Sequence, residues 1–196
     1  MRILLLHAFP LDPSMWEAQR PVLEPHETVA PSIYGRGNSM DAWAESLRVE
    51  LEGPFDCCVG ASMGGGCALA LERRSPGFFR TLVLAGAHAG PDAPEGRPHR
   101  AEQIAELREH GDKAKAAVVE AIRDRPDDRA VLAAFAGPVL VAVGDADPMI
   151  SVATAQALAD SAPRGRLAVV EGAGHLVSLD RADEFNRVLA GFLEEL

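Results

Sequence analysis

Phe55-Asp56-Cys57-Cys58-Val59-Gly60-Ala61-Ser62-Met63-Gly64-Gly65-Gly66-Cys67-Ala68-Leu69-Ala70-Leu71 is the stretch on which the reading of this chain turns. The apolar run Phe55–Val59 has the length and content of a buried strand, and Gly65–Leu71 can form a helix. Between them, Gly60-Ala61-Ser62-Met63-Gly64 fits the pattern G-x-S-x-G. Alone, that pattern is a loose string, and an ordinary serine in a glycine-rich turn would satisfy it. Between a strand and a helix it means more. A serine at so sharp a turn needs small neighbours, because a Cβ two residues to either side would collide with packed backbone. The helix that follows aims its first N–H groups at the serine, so the Met63 N–H is available to a developing oxyanion.

Outward from this turn the chain repeats the same alternation. Apolar runs recur at Arg2–Leu6, Glu27–Ala30, Thr81–Leu84, Pro138–Val143 and Arg166–Val170. Runs apolar on both faces suit parallel strands covered by helices on either side. Helical spacing falls between them, in Met40–Leu51 behind a Ser39 cap, in Val152–Ser161 and in Arg181–Leu196. The sum is a doubly wound α/β domain with right-handed crossovers, spanning residues 1–196 without a linker.

One interval breaks the rhythm. From His88 to Gly137 there is no strand candidate, but the spacing predicts helices over Ala101–His110, Asp112–Arg123 and Asp127–Ala136. Residues Arg97–Arg129 carry eight basic and eight acidic side chains. A pair of solvated surface helices accounts for such a segment, and the same hairpin can serve as a short lid over a site.

Composition removes other classes. The chain is 47% hydrophobic and 24% charged, the balance of a globular protein. Its 29 acidic against 19 basic residues give a net charge of −10, which repels a nucleic-acid backbone and an anionic membrane surface. No stretch reaches the roughly 20 apolar residues of a membrane span, and the apolar run at the start, broken at His7, is shorter than a signal-peptide core of roughly 7–15 residues. Cys57, Cys58 and Cys67 form neither a disulfide framework nor a zinc pattern and read as small buried apolar residues. The expectation is a soluble cytoplasmic protein with no metal and no cofactor.

A serine nucleophile needs a base, and the base needs an orienting group. His175 lies in Glu171-Gly172-Ala173-Gly174-His175, just beyond the last strand, where ligands of open α/β sheets gather. Gly144-Asp145-Ala146-Asp147-Pro148, after the penultimate strand, offers two acids. One would fix the imidazole tautomer, while the other caps a helix or closes a turn.

These landmarks together resemble the α/β-hydrolase family over nearly the whole chain. His7-Ala8-Phe9-Pro10-Leu11-Asp12, followed by Trp16, resembles the family's His-Gly-x-Pro oxyanion loop. Tyr34-Gly35-Arg36-Gly37-Asn38-Ser39 resembles its Gly-x-Gly-x-Ser loop, Gly144–Pro148 its Gly-x-x-Asp acid loop, and Gly174-His175 its histidine loop. The resemblance implies Ser62 as nucleophile, His175 as base, Asp147 rather than Asp145 as acid, and the Phe9 and Met63 amides as oxyanion donors. It leaves His7 a structural role.

Two departures stand out. Ala8 occupies the usual Gly of the oxyanion loop, which costs energy if that position needs positive φ. The chain also starts at what resembles the family's third strand, so the expected sheet has six parallel strands without the first hairpin, under a reduced cap. Met15, Trp16, His88, Met149, Ile150 and Leu176 follow strand ends near the site and are the pocket candidates. The implied activity is hydrolysis of a small-molecule ester or thioester through an acyl-enzyme, with short or accessible acyl groups favoured by the short lid. Lactone and carbon–carbon bond hydrolysis stay open. Haloalkane and epoxide chemistry is disfavoured, because family members with those activities use an aspartate where this chain has Ser62. The reading from a different class is a ligand-binding module with vestigial catalysis.

Overall fold

A computed structural model describes residues 1–196. The chain begins with β1 (Arg2–Leu6), a 3-10 turn at Pro13–Gln19, the single-turn α1 (Arg20–Leu23) and the edge strand β2 (Glu27–Val29). It continues through α2 (Met40–Glu50), β3 (Cys57–Ala61), α3 (Met63–Arg74) and β4 (Leu82–Ala85). Three helices follow, α4 (Arg97–Glu109), α5 (Lys113–Arg123) and α6 (Arg129–Ala134). The chain closes with β5 (Val139–Gly144), α7 (Val152–Ser161), β6 (Gly165–Val170), α8 (Val177–Asp180) and α9 (Ala182–Glu194).

All six strands are parallel and lie in the order β2-β1-β3-β4-β5-β6. The chain winds one way from β1 to β2, then returns past β1 and winds the other way. The strand order therefore reverses between β1 and β3, and a crevice opens at their carboxyl ends, where doubly wound sheets bind ligands.

Alternation along each inner strand divides the interior into two cores. Leu4, Leu6, Cys58, Leu82, Leu84, Val139, Val141 and Val143 face α2, α3, α5, α6 and α7. Ile3, Leu5, Cys57, Val59, Val83, Ala85, Leu140 and Ala142 face the 3-10 turn, α8 and α9. Covering both faces is why these strands read as continuous apolar runs instead of alternating ones. The edges differ: β2 is largely exposed and β6 is half-buried, so the two-sided apolar pattern holds only for the four inner strands.

Predicted and observed elements agree in number and order for the strands and the long helices, with shifted ends. Phe55 pairs in an isolated bridge with Phe79, and the strand proper starts at Cys57 and runs on to Ala61. The lid helix expected from Ala101 begins at Arg97, because Pro98 sits in its first turn, where a missing N–H costs nothing. The 3-10 turn, α1 and α8 carry no periodicity long enough to be predicted. Ser39 caps α2 by accepting from the Ala42 N–H, as its position suggested.

The lid is the segment between β4 and β5. Its helices α4 and α5 pack through Ile104, Ala116 and Val119, against which Phe9 also rests. Two polar anchors hold it to the body. Asn38 donates to Glu120 at 2.9 Å, and the buried Asp128 pairs with Arg73 of α3 at 2.6 Å. Burial raises the Asp128 carboxyl pKa above its usual value against the opposing pull of Arg73.

Trp43 is fully buried and donates its indole N–H to the Gly37 carbonyl, while Val49 on the same helix is 73% exposed. Trp43→Ala is expected to cost about 3–5 kcal/mol. Val49→Ala should stay within about 0.5 kcal/mol. Urea unfolding of both variants measures the contrast.

Candidate active site

Ser62 sits between β3 and α3 at φ 47° and ψ −111°, the only residue other than glycine with positive φ. A conformation of this kind costs roughly 1–3 kcal/mol and persists only where packing dictates it. The packing is specific. The Ser62 N–H donates to the Ala85 carbonyl at 2.8 Å, and the Ser62 carbonyl accepts from Gly65 at 3.0 Å. A Cβ on Gly64 would lie 2.1 Å from the Leu6 carbonyl oxygen, and one on Gly60 would lie 2.7 Å from the Gly65 backbone. Glycine at both positions is thus what lets α3 press against β1 and turn the serine outward.

The loops after β5 and β6 bring two more groups to this point. His175 Nε2 lies 2.8 Å from Ser62 Oγ, and its Nδ1 lies 2.9 Å from Asp147 Oδ2. With the Nδ1 proton shared with the carboxylate, Nε2 is left as acceptor for the serine hydroxyl. The Asp147 side chain is fully buried, and its other oxygen accepts from the Met149 and Ile150 amides at 2.7 and 3.0 Å. Those bonds hold it as an acceptor aimed at the imidazole. Asp145 does a different job: exposed, it accepts from the Gly172 N–H at 2.7 Å and so joins the acid loop to the histidine loop. Asp180 steadies the same loop by accepting from the Gly174 N–H.

Two backbone donors named by the sequence reading are unpaired. Met63 opens α3, so its N–H has no intrahelical partner, and the Phe9 N–H makes no hydrogen bond within the protein. The loop carrying Phe9 hangs on His7. Fully buried, His7 accepts from the Ile33 N–H at Nε2, which leaves the proton on Nδ1 to donate to the Ala8 carbonyl at 3.1 Å. Burial holds the His7 pKa below its ordinary value. Ala8 has no positive φ, and its side chain is buried in the core shared with Met15 and Trp16. The departure from glycine is absorbed without left-handed strain.

A cavity of about 230 Å³ opens against Ser62 and His175. Of the pocket candidates, His88, Met149 and Ile150 line it. Met15, Trp16 and Leu176 do not. The 3-10 turn directs Met15 and Trp16 into the core behind the sheet, where Met15 Sδ accepts from the Ala8 N–H, and Leu176 packs on the same core. Sequence reasoning missed the other lining residues of the lid, among them the charged Asp92, Arg100 and Arg125. Their charges were legible only as part of a charge-dense surface segment, since no spacing marks which of them turn inward.

His88 accepts a hydrogen bond from Arg125 at Nε2. Burial, reinforced by the Arg125 charge, depresses its pKa to about 4. Cys57, Cys58 and Cys67 are buried free thiols. Burial pushes Cys57 and Cys67 up to about 12, far from a reactive thiolate. No three His, Cys, Asp or Glu side chains converge in a way that would hold a metal ion. No helix is long and apolar enough to cross a membrane.

The model of the alpha/beta hydrolase family matches residues 3–188, and the chain belongs to that family. It is 39% identical over 92 residues to a pimeloyl-[acyl-carrier protein] methyl ester esterase of Aromatoleum aromaticum, a match covering 43% of this chain and 36% of that protein. It is 29% identical to the 2-hydroxymuconate semialdehyde hydrolase of Pseudomonas sp. strain CF600, over 92% of this chain and 81% of that one. Among solved structures, a thermophilic esterase from Thermogutta terrifontis superposes with a TM-score of 0.89 at 25% identity, covering all of this chain and 90% of the other. Family and relatives together support hydrolase activity.

Neutral His88 gives a pH signature. The unfolded imidazole takes up its proton near the ordinary value of 6.5, whereas the folded one holds off to about 4. Between those values the unfolded state binds more protons, so this group's contribution to stability is lost as pH falls from 6.5 toward 4. His88→Gln keeps an acceptor for Arg125 but cannot titrate. Its urea midpoint is expected to drop less than that of the parent between pH 7 and pH 4.5, and equal drops would contradict the assignment.

Proposed function

We propose that this protein is a serine hydrolase that cleaves carboxylic esters through an acyl-enzyme. The observation carrying this reading is the hydrogen-bonded chain Ser62–His175–Asp147, with legs of 2.8 and 2.9 Å; the Phe9 and Met63 amides are unpaired. Ser62 Oγ attacks the ester carbonyl carbon as His175 Nε2 takes the hydroxyl proton. The carbonyl π electrons move to oxygen, and the Phe9 and Met63 N–H groups hold that charge. Asp147 stabilises the imidazolium and keeps its ring in place. Collapse of the tetrahedral intermediate breaks the bond to the leaving alcohol, which receives the proton from His175. Water then gives a proton to His175 and attacks the acyl carbon, and the second collapse returns the proton to Ser62 and releases the acid.

The cavity favours small substrates. Its volume of about 230 Å³ lies below the roughly 300–1,000 Å³ of sites for drug-sized ligands. Thioesters, lactones and carbon–carbon bonds are the alternative targets of the same residues. A binding module with vestigial catalysis loses its main motive, since Ala8 adopts no strained backbone.

A fluorophosphonate probe should label Ser62 stoichiometrically, and Ser62→Ala and His175→Ala should abolish labelling. Absence of labelling together with no turnover of p-nitrophenyl acetate through octanoate would sink the proposal. Asp147→Asn is expected to lower kcat by about 10⁴-fold, since the amide favours the wrong imidazole tautomer. Across the acyl series, kcat/KM should peak at short chains, and a maximum at octanoate would rule out the size argument.

A further inference from the structure

The part of the Ser62 cavity that the lid lines carries more positive charge than the rest of the protein would suggest. Arg100 from α4 and Arg125 from the α5–α6 connection both line it, accompanied by one carboxylate, Asp92. The side chains are only 19%, 16% and 11% exposed, respectively. In a chain of net charge −10, two guanidiniums are thus drawn into a half-buried site with a single counter-charge. His88 does not supply another, being a neutral acceptor for Arg125.

The donors outnumber their acceptors. Arg125 uses one terminal nitrogen on both His88 and Asp92, while its buried Nε has no partner. Arg100 reaches Asp92 and Gln103 only at 3.4 and 3.5 Å, the long limit of a hydrogen bond. A guanidinium offers five N–H groups in a rigid fork that matches a carboxylate. Removing such a group from water without acceptors is costly, so a pair held this way is complementary to an added anion.

We propose that Arg100 and Arg125 select esters whose acyl part ends in a free carboxylate, so that the preferred substrates are half-esters of short dicarboxylic acids. The inference rests on Ser62 being the nucleophile, because the two arginines line the same cavity as Ser62, Met63 and His175. Asp92 and His88 position the guanidiniums and set their spacing. The small volume limits the acyl part to a few carbons between its two carboxyl groups. Because both arginines come from the lid, substrate choice is encoded there and not in the sheet.

Methanol release separates the possibilities, with monomethyl succinate, glutarate and adipate compared with methyl butyrate, valerate and hexanoate at fixed ionic strength. The charged member of at least one chain-matched pair is expected to show a kcat/KM higher by about tenfold or more, the scale of a charge-assisted bond in a half-buried site. In Arg125→Gln and in Arg100→Gln the ratio of charged to neutral kcat/KM should fall toward one. Arg125→Lys should restore part of it, since charge returns without the fork. The ratio within each folded variant is the readout, so a general loss of activity does not imitate the effect. Should Arg125→Gln fail to fold, Arg100→Gln decides. Charged esters no better than neutral ones, or a ratio unchanged by the arginine substitutions, would overturn the selectivity while fluorophosphonate labelling of Ser62 still upheld the hydrolase reading. Loss of labelling in the unmodified protein would overturn both.

Discussion

The close approach of α3 to β1 is the constraint on which the rest of the molecule depends. It forces the backbone at Ser62 into positive φ, and only the missing side chains of Gly60 and Gly64 make room for it. The cost of that turn, roughly 1–3 kcal/mol, is offset by burial of α3 and of the strands on either side of β3. Since β3 lies beside β1 where the strand order reverses, the same turn puts Ser62 next to the loop that carries Phe9. The loops after β5 and β6 then need only short spans to deliver Asp147 and His175 to the same edge.

A second layer of polar contacts fixes those loops. Asp145, Asp180 and His7 each satisfy backbone groups that would otherwise lie unpaired in tight turns. None of the three reaches Ser62. Their effect is to remove slack from the groups that do, which matters where misplacement by an ångström is costly. The two acids of the Gly144–Pro148 loop therefore divide the work by burial: Asp147 is enclosed beside the imidazole, whereas Asp145 ties loop to loop at the surface.

The lid adds what the sheet cannot. The sheet and its loops bring Ser62, His175 and Asp147 together, while α4, α5 and their connections supply a wall with two arginines, an aspartate and a neutral histidine. Its attachment through Asn38–Glu120 and Arg73–Asp128 holds that wall to the body, where it shares a cavity with Ser62. Most of its other charges remain in solvent as exposed ion pairs, which contribute little each.

Much of this was legible before any coordinates. The inner strands were visible because burial on both faces demands unbroken runs of Val, Leu, Ile, Ala and Cys. Helices α2, α7 and α9 were visible because one-sided burial demands a 3.6-residue repeat. Ser62 and His175 stood out because glycines mark backbone that must turn tightly beside a strand end. By contrast, Asp145 and Asp147 could not be separated by the residues themselves, since both follow the same strand and only burial distinguishes them. Trp16 and Met15 followed a strand end as a pocket residue would, yet a short 3-10 turn without a readable period rotates them into the core. Arg100 and Arg125 looked like any charges on a surface hairpin. The sequence by itself determined what depends on local backbone and on periodic burial: the parallel sheet, the elbow and the order of its landmarks. Tertiary structure alone decided which polar side chains face one another across the crevice, because that depends on the packing angle of the lid and on distances between residues far apart in the chain.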